Sequence, residues 1–343
     1  MTARRAAAGQ LPMDDTLPGP HSFLSQGIMR VHCTTLVLAG ALSLGPGALF
    51  AQAPPLEDLI IRLARVPAPI GYESRLADSL QRLLPGAVRD RAGDIVLTLG
   101  HGAPKRLVAC AMDEPGWVVG GIRDDGYLTI RRLPGRTPPL FDQQLEGQRI
   151  TLLGARGDVP GVVGIRSVHL TRGRAGNDAP FTFDDAYVDV GATGDSEARA
   201  LGLRETTPLV LEKRPWRYGD GLVAAPVVGQ RAACAALVRA VSGKVHGTVV
   251  VAFVVEGGLS GRGLLTVGQE AGPFTGTLML DAGGATEAVA RDTVRTPARG
   301  AALGRMTRWR LRDRFDGWPV ETVAVADAGI LERMLRDWIG GAP

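Results

Sequence analysis

Apolar and polar residues follow two periods along the chain, and together these periods predict an α/β fold. Apolar residues at helical spacing predict helices at 56–66, 72–84, 229–241 and 330–339. Nearly continuous apolar runs, typical of strands buried on both faces, lie at 106–112, 248–255 and 277–280, and a further strand is predicted at 94–99. Helices and buried strands in one chain indicate layers packed around a common sheet.

A β-rich stretch interrupts this pattern. Between residues 117 and 210, short runs of β-forming residues are separated by turn dipeptides such as Pro-Gly and Gly-Asp, which predicts a small β-barrel or sandwich. We therefore expect an α/β domain built from residues 54–116 and 213–343. An inserted β-barrel domain at 117–212 would interrupt it.

The first 53 residues have the character of a leader. A short basic start after Met29 precedes an apolar run at 34–44, and the small residues Ala51 and Ala53 follow it. This order is typical of a cleaved signal peptide and predicts a secreted or periplasmic protein. A membrane anchor is the alternative, but the apolar run is shorter than the roughly 20 residues that a span requires.

Composition limits the possible chemistry further. The 39 basic and 35 acidic residues give a net charge of +4, too even a balance to indicate a nucleic-acid partner. Outside the leader the histidines are His101, His169 and His246, and each is predicted to be structural or solvated. Cys110 and Cys234 lie in apolar runs and are expected to be small buried hydrophobic residues, although a disulfide between them stays open.

Several motifs keep the order and spacing of one known family. They include PAPIGYES at 67–74, CAMDEPGWVV at 110–119, VVEGGLSGRG at 254–263 and LMLDAG at 278–283. The chain resembles the glutamyl or deblocking aminopeptidases, zinc metallopeptidases that form tetrahedral particles and have relatives called endoglucanases. The resemblance covers about residues 56–281 and implies an α/β/α sandwich interrupted by a β-barrel.

The resemblance also implies a metal centre with two zinc ions, five protein ligands and a carboxylate general base. Four of the matching positions lack a donor side chain: Ala111, Gly229 and Gly317 at ligand positions and Val255 at the base. Carboxylates remain at two ligand positions, Glu256 and Asp281, and at Asp113, where the family orients a ligand. Because only 36 positions separate Asp281 from Gly317, a piece of the family's α/β domain is expected to be missing.

These losses predict a degenerate metal centre that holds no metal or holds it weakly. Two carboxylates cannot hold a zinc pair, whereas Asp113, Glu256 and Asp281 could hold calcium or magnesium through oxygen ligands alone. The same three residues could instead serve only as turn and capping residues.

The expected function is binding or assembly by an exported aminopeptidase homologue, with peptides, a homo-oligomer or active paralogues as partners. The alternative is an active aminopeptidase with an altered or single-metal site. A third possibility is a carbohydrate-active enzyme, which would need a carboxyl pair such as Glu256 and Asp281 about 5–9.5 Å apart. A serine nucleophile at Ser260 is disfavoured because its surroundings do not match the nucleophile-elbow pattern. The arginine-rich segment 304–315 is expected to form an exposed amphipathic strand.

Overall fold

The computed structural model describes residues 54–135, 137–139, 141–165 and 183–341. The predicted signal peptide and His169 lie outside the described residues. The helices are α1 (Leu56–Ala64), α2 (Ser74–Leu83), α3 (Asp195–Ala200), α4 (Val228–Ala240), α5 (Arg262–Ala271) and α6 (Val325–Gly340).

The strands up to the end of the β-rich stretch are β1 (Val88–Arg89), β2 (Ile95–Gly100), β3 (Lys105–Ala111), β4 (Trp117–Ile122), β5 (Leu128–Arg132), β6 (Arg149–Gly154), β7 (Gly157–Gly164), β8 (Tyr187–Asp189) and β9 (Pro208–Leu211). The later strands are β10 (Trp216–Tyr218), β11 (Leu222–Ala225), β12 (Thr248–Val254), β13 (Gly276–Ala282), β14 (Val289–Val294), β15 (Arg305–Leu311), β16 (Asp313–Arg314) and β17 (Glu321–Ala324).

A seven-stranded sheet forms the centre of the fold, in the order β1-β2-β12-β3-β13-β15-β14. The four strands β12, β3, β13 and β15 run parallel, and the outer strands β2 and β14 pair antiparallel with them. Alternate residues of β3 face opposite sides, so that Val108 packs in the cluster with α1, α4 and α6 and Leu107 packs in the cluster with α5. Helices on both faces confirm the predicted α/β/α fold class.

The inserted β-rich stretch closes into a six-stranded barrel, β4-β5-β8-β7-β6-β9. Its own core contains Trp117, Leu128, Ile150, Val188 and Leu209. These apolar side chains alternate with exposed ones along the strands, as expected when one face of each strand lines a packed interior. The barrel lies between β3 and β10 in the chain, which confirms the predicted β-barrel insertion.

Two elements differ from the sequence-based expectation. Helix α5 was not predicted, because the glycines in its sequence hide the helical period. The arginine-rich strand β15 is not an exposed strand, since it lies between β13 and β14, and its Arg308 and Arg310 are paired with acidic side chains of those neighbours. A four-stranded antiparallel sheet, β10-β11-β17-β16, completes the C-terminal part. Within the described ranges, no helix combines the length and apolar character needed to cross a membrane.

A disulfide joins Cys110, at the end of β3, to Cys234 on α4, with a Cα–Cα distance of 5.6 Å. Both cysteines are buried, as the sequence predicts. The sequence left their pairing open because the two residues are 124 positions apart and only the packing of α4 on the sheet brings them together. The crosslink anchors the end of β3, the strand that leads directly to Asp113.

Reduction of this disulfide is expected to lower the free energy of unfolding by about 2–4 kcal/mol, because the crosslink closes a long loop and restricts the unfolded chain. Urea unfolding with and without dithiothreitol measures the effect. The double variant Cys110→Ala with Cys234→Ala is the control, and its unfolding midpoint should not respond to reductant. A wild-type midpoint that is equally indifferent to reductant would contradict the crosslink.

Candidate functional site

A cleft of about 590 Å³ opens where the parallel strands end. Because β3, β12, β13 and β15 are parallel, the residues that follow each of them meet at one edge of the sheet, where open α/β sheets commonly bind ligands. The charged residues that line the cleft are Asp113, Glu114, Asp281, Arg308, Asp313, Asp316 and Glu321. Six carboxylates and one guanidinium make this space negative, and we call it the acidic cleft.

Asp113 fastens the turn that follows β12. Its carboxylate accepts hydrogen bonds from the amides of Gly257 at 2.7 Å and Gly258 at 2.9 Å. Burial raises the pKa of Asp113, and the two amides oppose this rise. Residue 111, which precedes Asp113 by two positions, is alanine, so no histidine is present there for the carboxylate to orient.

Glu256 points to the start of α5. Its Oε1 accepts hydrogen bonds from Arg262 Nη2 at 2.7 Å and Nε at 3.0 Å, and its Oε2 accepts one from Ser260 Oγ at 3.0 Å. Arg262 lowers the pKa of Glu256. The residue is not among those that line the acidic cleft. Its carboxylate therefore holds the Ser260 and Arg262 side chains at the turn before α5 and does not cap the helix, whose N-cap Gly261 has no side-chain hydrogen bond.

Asp281 does line the cleft and lies near the end of β13. Its Oδ1 accepts a hydrogen bond from the amide of Ala282 at 2.9 Å, and its Oδ2 lies 3.6 Å from Arg308 Nη1. The three residues predicted from the sequence are thus divided, with Asp113 and Asp281 at one cavity and Glu256 outside it. The pairing of Glu256 with Asp281 that glycoside hydrolysis would need stays a prediction.

The four positions without donors lie around the same edge of the sheet. Ala111 is the last residue of β3, Gly229 is the second residue of α4, and Val255 follows β12 with only 5% of its surface exposed. Gly317 lines the cleft in the loop between β16 and β17. The amide of Val255 donates a hydrogen bond to the buried carboxylate of Asp94 at 2.8 Å, which fixes the backbone before the turn.

Three carboxylates that sequence analysis did not assign gather in the cleft. One oxygen from each of Asp313, Asp316 and Glu321 lies within 4.8 Å of the others. All three belong to the hairpin formed by β16 and β17, in the segment DRFDGWPVE. The sequence signal for this group was the spacing of its carboxylates, which lie three and five positions apart around a glycine turn. The family resemblance instead assigned a ligand position to Gly317, within the same segment.

Burial and mutual repulsion shape the charge of this group. Burial raises the pKa of Asp313 to about 8, with repulsion from Glu321, Asp316 and Asp281 adding to the rise. Burial also raises the pKa of Glu321 to about 7, although hydrogen bonds from the amides of Gly229 and Gly317 oppose it. A proton or a bound cation would relieve the repulsion.

A different carboxylate of the cleft, Glu114, is neutralised within the protein. It is 4% exposed, and its Oε1 accepts a hydrogen bond from the amide of Ala68 at 2.7 Å. Its Oε2 forms an ion pair with the buried ammonium of Lys213, and Arg231 Nη2 lies 3.6 Å from Oε1. Burial lowers the pKa of Lys213, and Glu114 counteracts this shift. The net negative charge of the cleft therefore comes from its other carboxylates.

The residues present do not fit a pair of zinc ions. Zinc prefers nitrogen and sulfur ligands and needs about three protein donors per ion, with a bridging group between the two ions. Among the residues that the structure describes, neither a histidine nor a cysteine lines the cleft. The bridging position is Gly229, and a Cβ atom built on it would collide with Asp313 Oδ2.

Comparison with known proteins agrees with this geometry at the level of the fold. Residues 93–288 match the M42 glutamyl aminopeptidase family. The Pyrococcus furiosus lysyl aminopeptidase is 28% identical over 188 residues, which are 53% of this chain and 53% of that protein. The Escherichia coli (strain K12) protein SgcX, named as an aminopeptidase, is 29% identical over 189 residues, 53% of this chain and 49% of that protein.

A solved relative extends the match in three dimensions. The Pyrococcus horikoshii TET1 peptidase superposes with a TM-score of 0.73 at 18% identity, over 84% of this chain and 100% of that one. The chain spans about half the length of the curated relatives that it matches. The matched residues include most of β2 to β13 and the whole β-barrel. This chain therefore belongs to the M42 glutamyl aminopeptidase family.

Proposed function

We propose that this chain is an exported family member that binds peptides through their N-terminal amine and does not hydrolyse them by a two-zinc mechanism. One observation carries the proposal: the cleft keeps its space and its negative charge, while the ligand and base positions Ala111, Gly229, Val255 and Gly317 have lost their donors. Loss of a general base alone typically costs about 10²–10⁴ in rate. Loss of the metals removes the activated water as well.

The chemistry of the cleft favours a cationic group. Its volume of about 590 Å³ lies within the usual range for small-ligand sites. A peptide N-terminus carries an ammonium group that forms strong, charge-assisted hydrogen bonds with carboxylates. The Asp281 side chain is 46% exposed at the cleft. Its Oδ1 accepts a hydrogen bond from the amide of Ala282, whereas its Oδ2 has only the more distant Arg308 among the described residues and is available to such a group.

Peptides with a free N-terminus are expected to bind at least ~10-fold more tightly than their N-acetylated forms, because a hydrogen bond to a charged group contributes about 1.5–3 kcal/mol. Isothermal titration calorimetry measures both affinities. The Asp281→Asn substitution should lower the affinity for the free peptide toward that for the acetylated peptide. The matched control is Asp184→Asn, which changes an exposed carboxylate of the barrel region paired with Arg131 and should bind like the wild type.

The same samples are tested for release of N-terminal residues, with and without added zinc or cobalt. We expect no release above the blank. Hydrolysis accompanied by two zinc equivalents per chain would overturn the non-hydrolytic proposal. Equal affinity for free and acetylated peptides would overturn recognition of the amine.

A second candidate function is an active aminopeptidase with an altered or single-metal site. The observation in its favour is the carboxylate group of Asp313, Asp316 and Glu321, which supplies oxygen donors at positions the family resemblance does not use. Release of N-terminal residues that depends on an added divalent cation and disappears in Asp313→Asn would favour this candidate over a pure binding role.

Export is part of the proposal and rests on two features. One is the leader-like sequence after Met29, and the other is the Cys110–Cys234 disulfide, since such crosslinks persist mainly in oxidising compartments. N-terminal sequencing of protein recovered from the periplasm or the medium is expected to show a start close to Pro54. Recovery of the protein only from the cytosol, with residues 29–53 still attached, would contradict export.

Assembly is also proposed, either as a homo-oligomer or together with active paralogues. The support is the likeness to the TET1 peptidase of Pyrococcus horikoshii, which can assemble into a tetrahedron or a large octahedral shell. Light scattering coupled to size-exclusion chromatography should give a mass that is a multiple of the single chain. A monomer at all concentrations, alone and mixed with an active paralogue, would contradict assembly.

A further inference from the structure

The hairpin of β16 and β17 brings three carboxylates together in the acidic cleft. Among the described residues, no arginine or lysine forms a salt bridge with Asp313, Asp316 or Glu321. The nearby cations are paired with other carboxylates: Arg310 with Asp292 at 2.8 Å, Arg308 with Asp281 at 3.6 Å and Lys213 with Glu114. Arg310 and Lys213 attract Asp316 and Glu321 only at longer range. Carboxylates are rarely buried without a partner, because removing their charge from water is costly.

Asp313 is the most unusual member of this group. Both of its carboxylate oxygens are closed off from solvent, and no described group donates a hydrogen bond to either of them. Buried polar atoms in native proteins nearly always have a partner, so an orphaned carboxylate calls for a missing donor or ion. One Asp313 oxygen lies within 4.8 Å of an oxygen of each of the other two carboxylates.

Glu321 is already held in a fixed orientation. It is 4% exposed, its Oε1 accepts a hydrogen bond from the amide of Gly317 at 3.0 Å, and its Oε2 accepts one from the amide of Gly229 at 3.1 Å. Each carboxylate oxygen has a second lone pair that these amides leave free. This is the arrangement in which surrounding hydrogen bonds orient a metal ligand.

The absence of a side chain at Gly229 makes room for Asp313. A Cβ atom at position 229 would collide with Asp313 Oδ2, so the carboxylate from β16 fills the space that a side chain on α4 would occupy. In the same way, a Cβ atom at Gly283 would collide with the carboxylate of Asp316. Two glycines therefore permit the hairpin carboxylates to approach the edge of the sheet.

From this geometry we propose that Asp313, Asp316 and Glu321 bind one calcium ion. The donors are all oxygen, which selects a hard cation over zinc. Calcium lies about 2.3–2.6 Å from its ligands, so two ligands on opposite sides of it are about 4.6–5.2 Å apart. One oxygen from each of the three carboxylates lies within 4.8 Å of the others, close enough for all three to contact one ion of that size. Magnesium fits less well because it demands a near-octahedral shell and usually keeps several of its waters.

The ion would connect both ends of the hairpin to the loop between them, since Asp313 is in β16, Asp316 is in the loop and Glu321 begins β17. It would also leave Asp281, the carboxylate proposed to meet a peptide amine, outside the ligand set. Although Asp281 repels Asp313, the two sites use different ligand residues. The variants Asp316→Asn and Asp281→Asn therefore distinguish failure of calcium binding from failure of amine recognition.

Calcium binding is measured by isothermal titration calorimetry on the full chain after treatment with EDTA, with calcium, magnesium and zinc chlorides titrated separately. We expect one calcium per chain with a dissociation constant of about 10⁻⁵ to 10⁻³ M, and at least ~10-fold weaker binding of magnesium. Thermal unfolding should shift upward with calcium concentration, because the ion binds the folded chain.

Asp313→Asn and Asp316→Asn should each weaken calcium binding at least ~10-fold, while the near-UV circular dichroism spectrum stays the same as that of the wild type. Asp316 lies in an exposed loop, so its variant tests the site even if Asp313→Asn fails to fold. Asp184→Asn, on the exposed barrel region, should bind calcium like the wild type. No saturable calcium binding up to 10-fold above the expected range, or equal binding by the wild type and both cluster variants, would overturn the site.

Discussion

The parallel pairing of β12, β3, β13 and β15 is the constraint on which the rest of this structure depends. Because β3 and β12 are buried on both faces, their sequences are almost entirely apolar, and polar chemistry can appear only where these strands end. Parallel direction then gathers those ends at one edge of the sheet. Asp113 follows β3, Asp281 lies near the end of β13 and Asp313 follows β15, yet all three line one cleft for this reason.

The concentration of carboxylates at that edge has an electrostatic cost that the protein meets in different ways. Glu114 has a buried lysine, Asp113 has two backbone amides, and Glu256 turns away to Arg262. Asp313 has none of these solutions, and burial among other carboxylates raises its pKa to about 8. A group that is destabilising when charged and unpartnered is commonly retained for binding, so the distribution of partners separates structural carboxylates from candidate ligands.

The sequence was sufficient to predict the layers of the fold but not the arrangement of residues in the cleft. Apolar runs in β3 and β12 and helical spacing in α1 and α4 have strong periods, so these elements were predicted within two or three residues of their bounds. Helix α5 and the pairing of Cys110 with Cys234 depend on tertiary packing and could not be read from local pattern. The arginines of β15 looked exposed because their partners, Asp281 and Asp292, lie on neighbouring strands.

Matching this chain to a family residue by residue identifies the ligand positions that have no donor side chain. It cannot identify donors that other segments of the chain bring to the same site. Gly229 and Asp313 are 84 positions apart, and only the packing of α4 against the hairpin places the aspartate over the glycine. The Asp313 carboxylate can approach from β16 because Gly229 on α4 has no side chain in that space. Without donors for two zinc ions, the cleft is still lined by carboxylates, and three of them come from the β16–β17 hairpin.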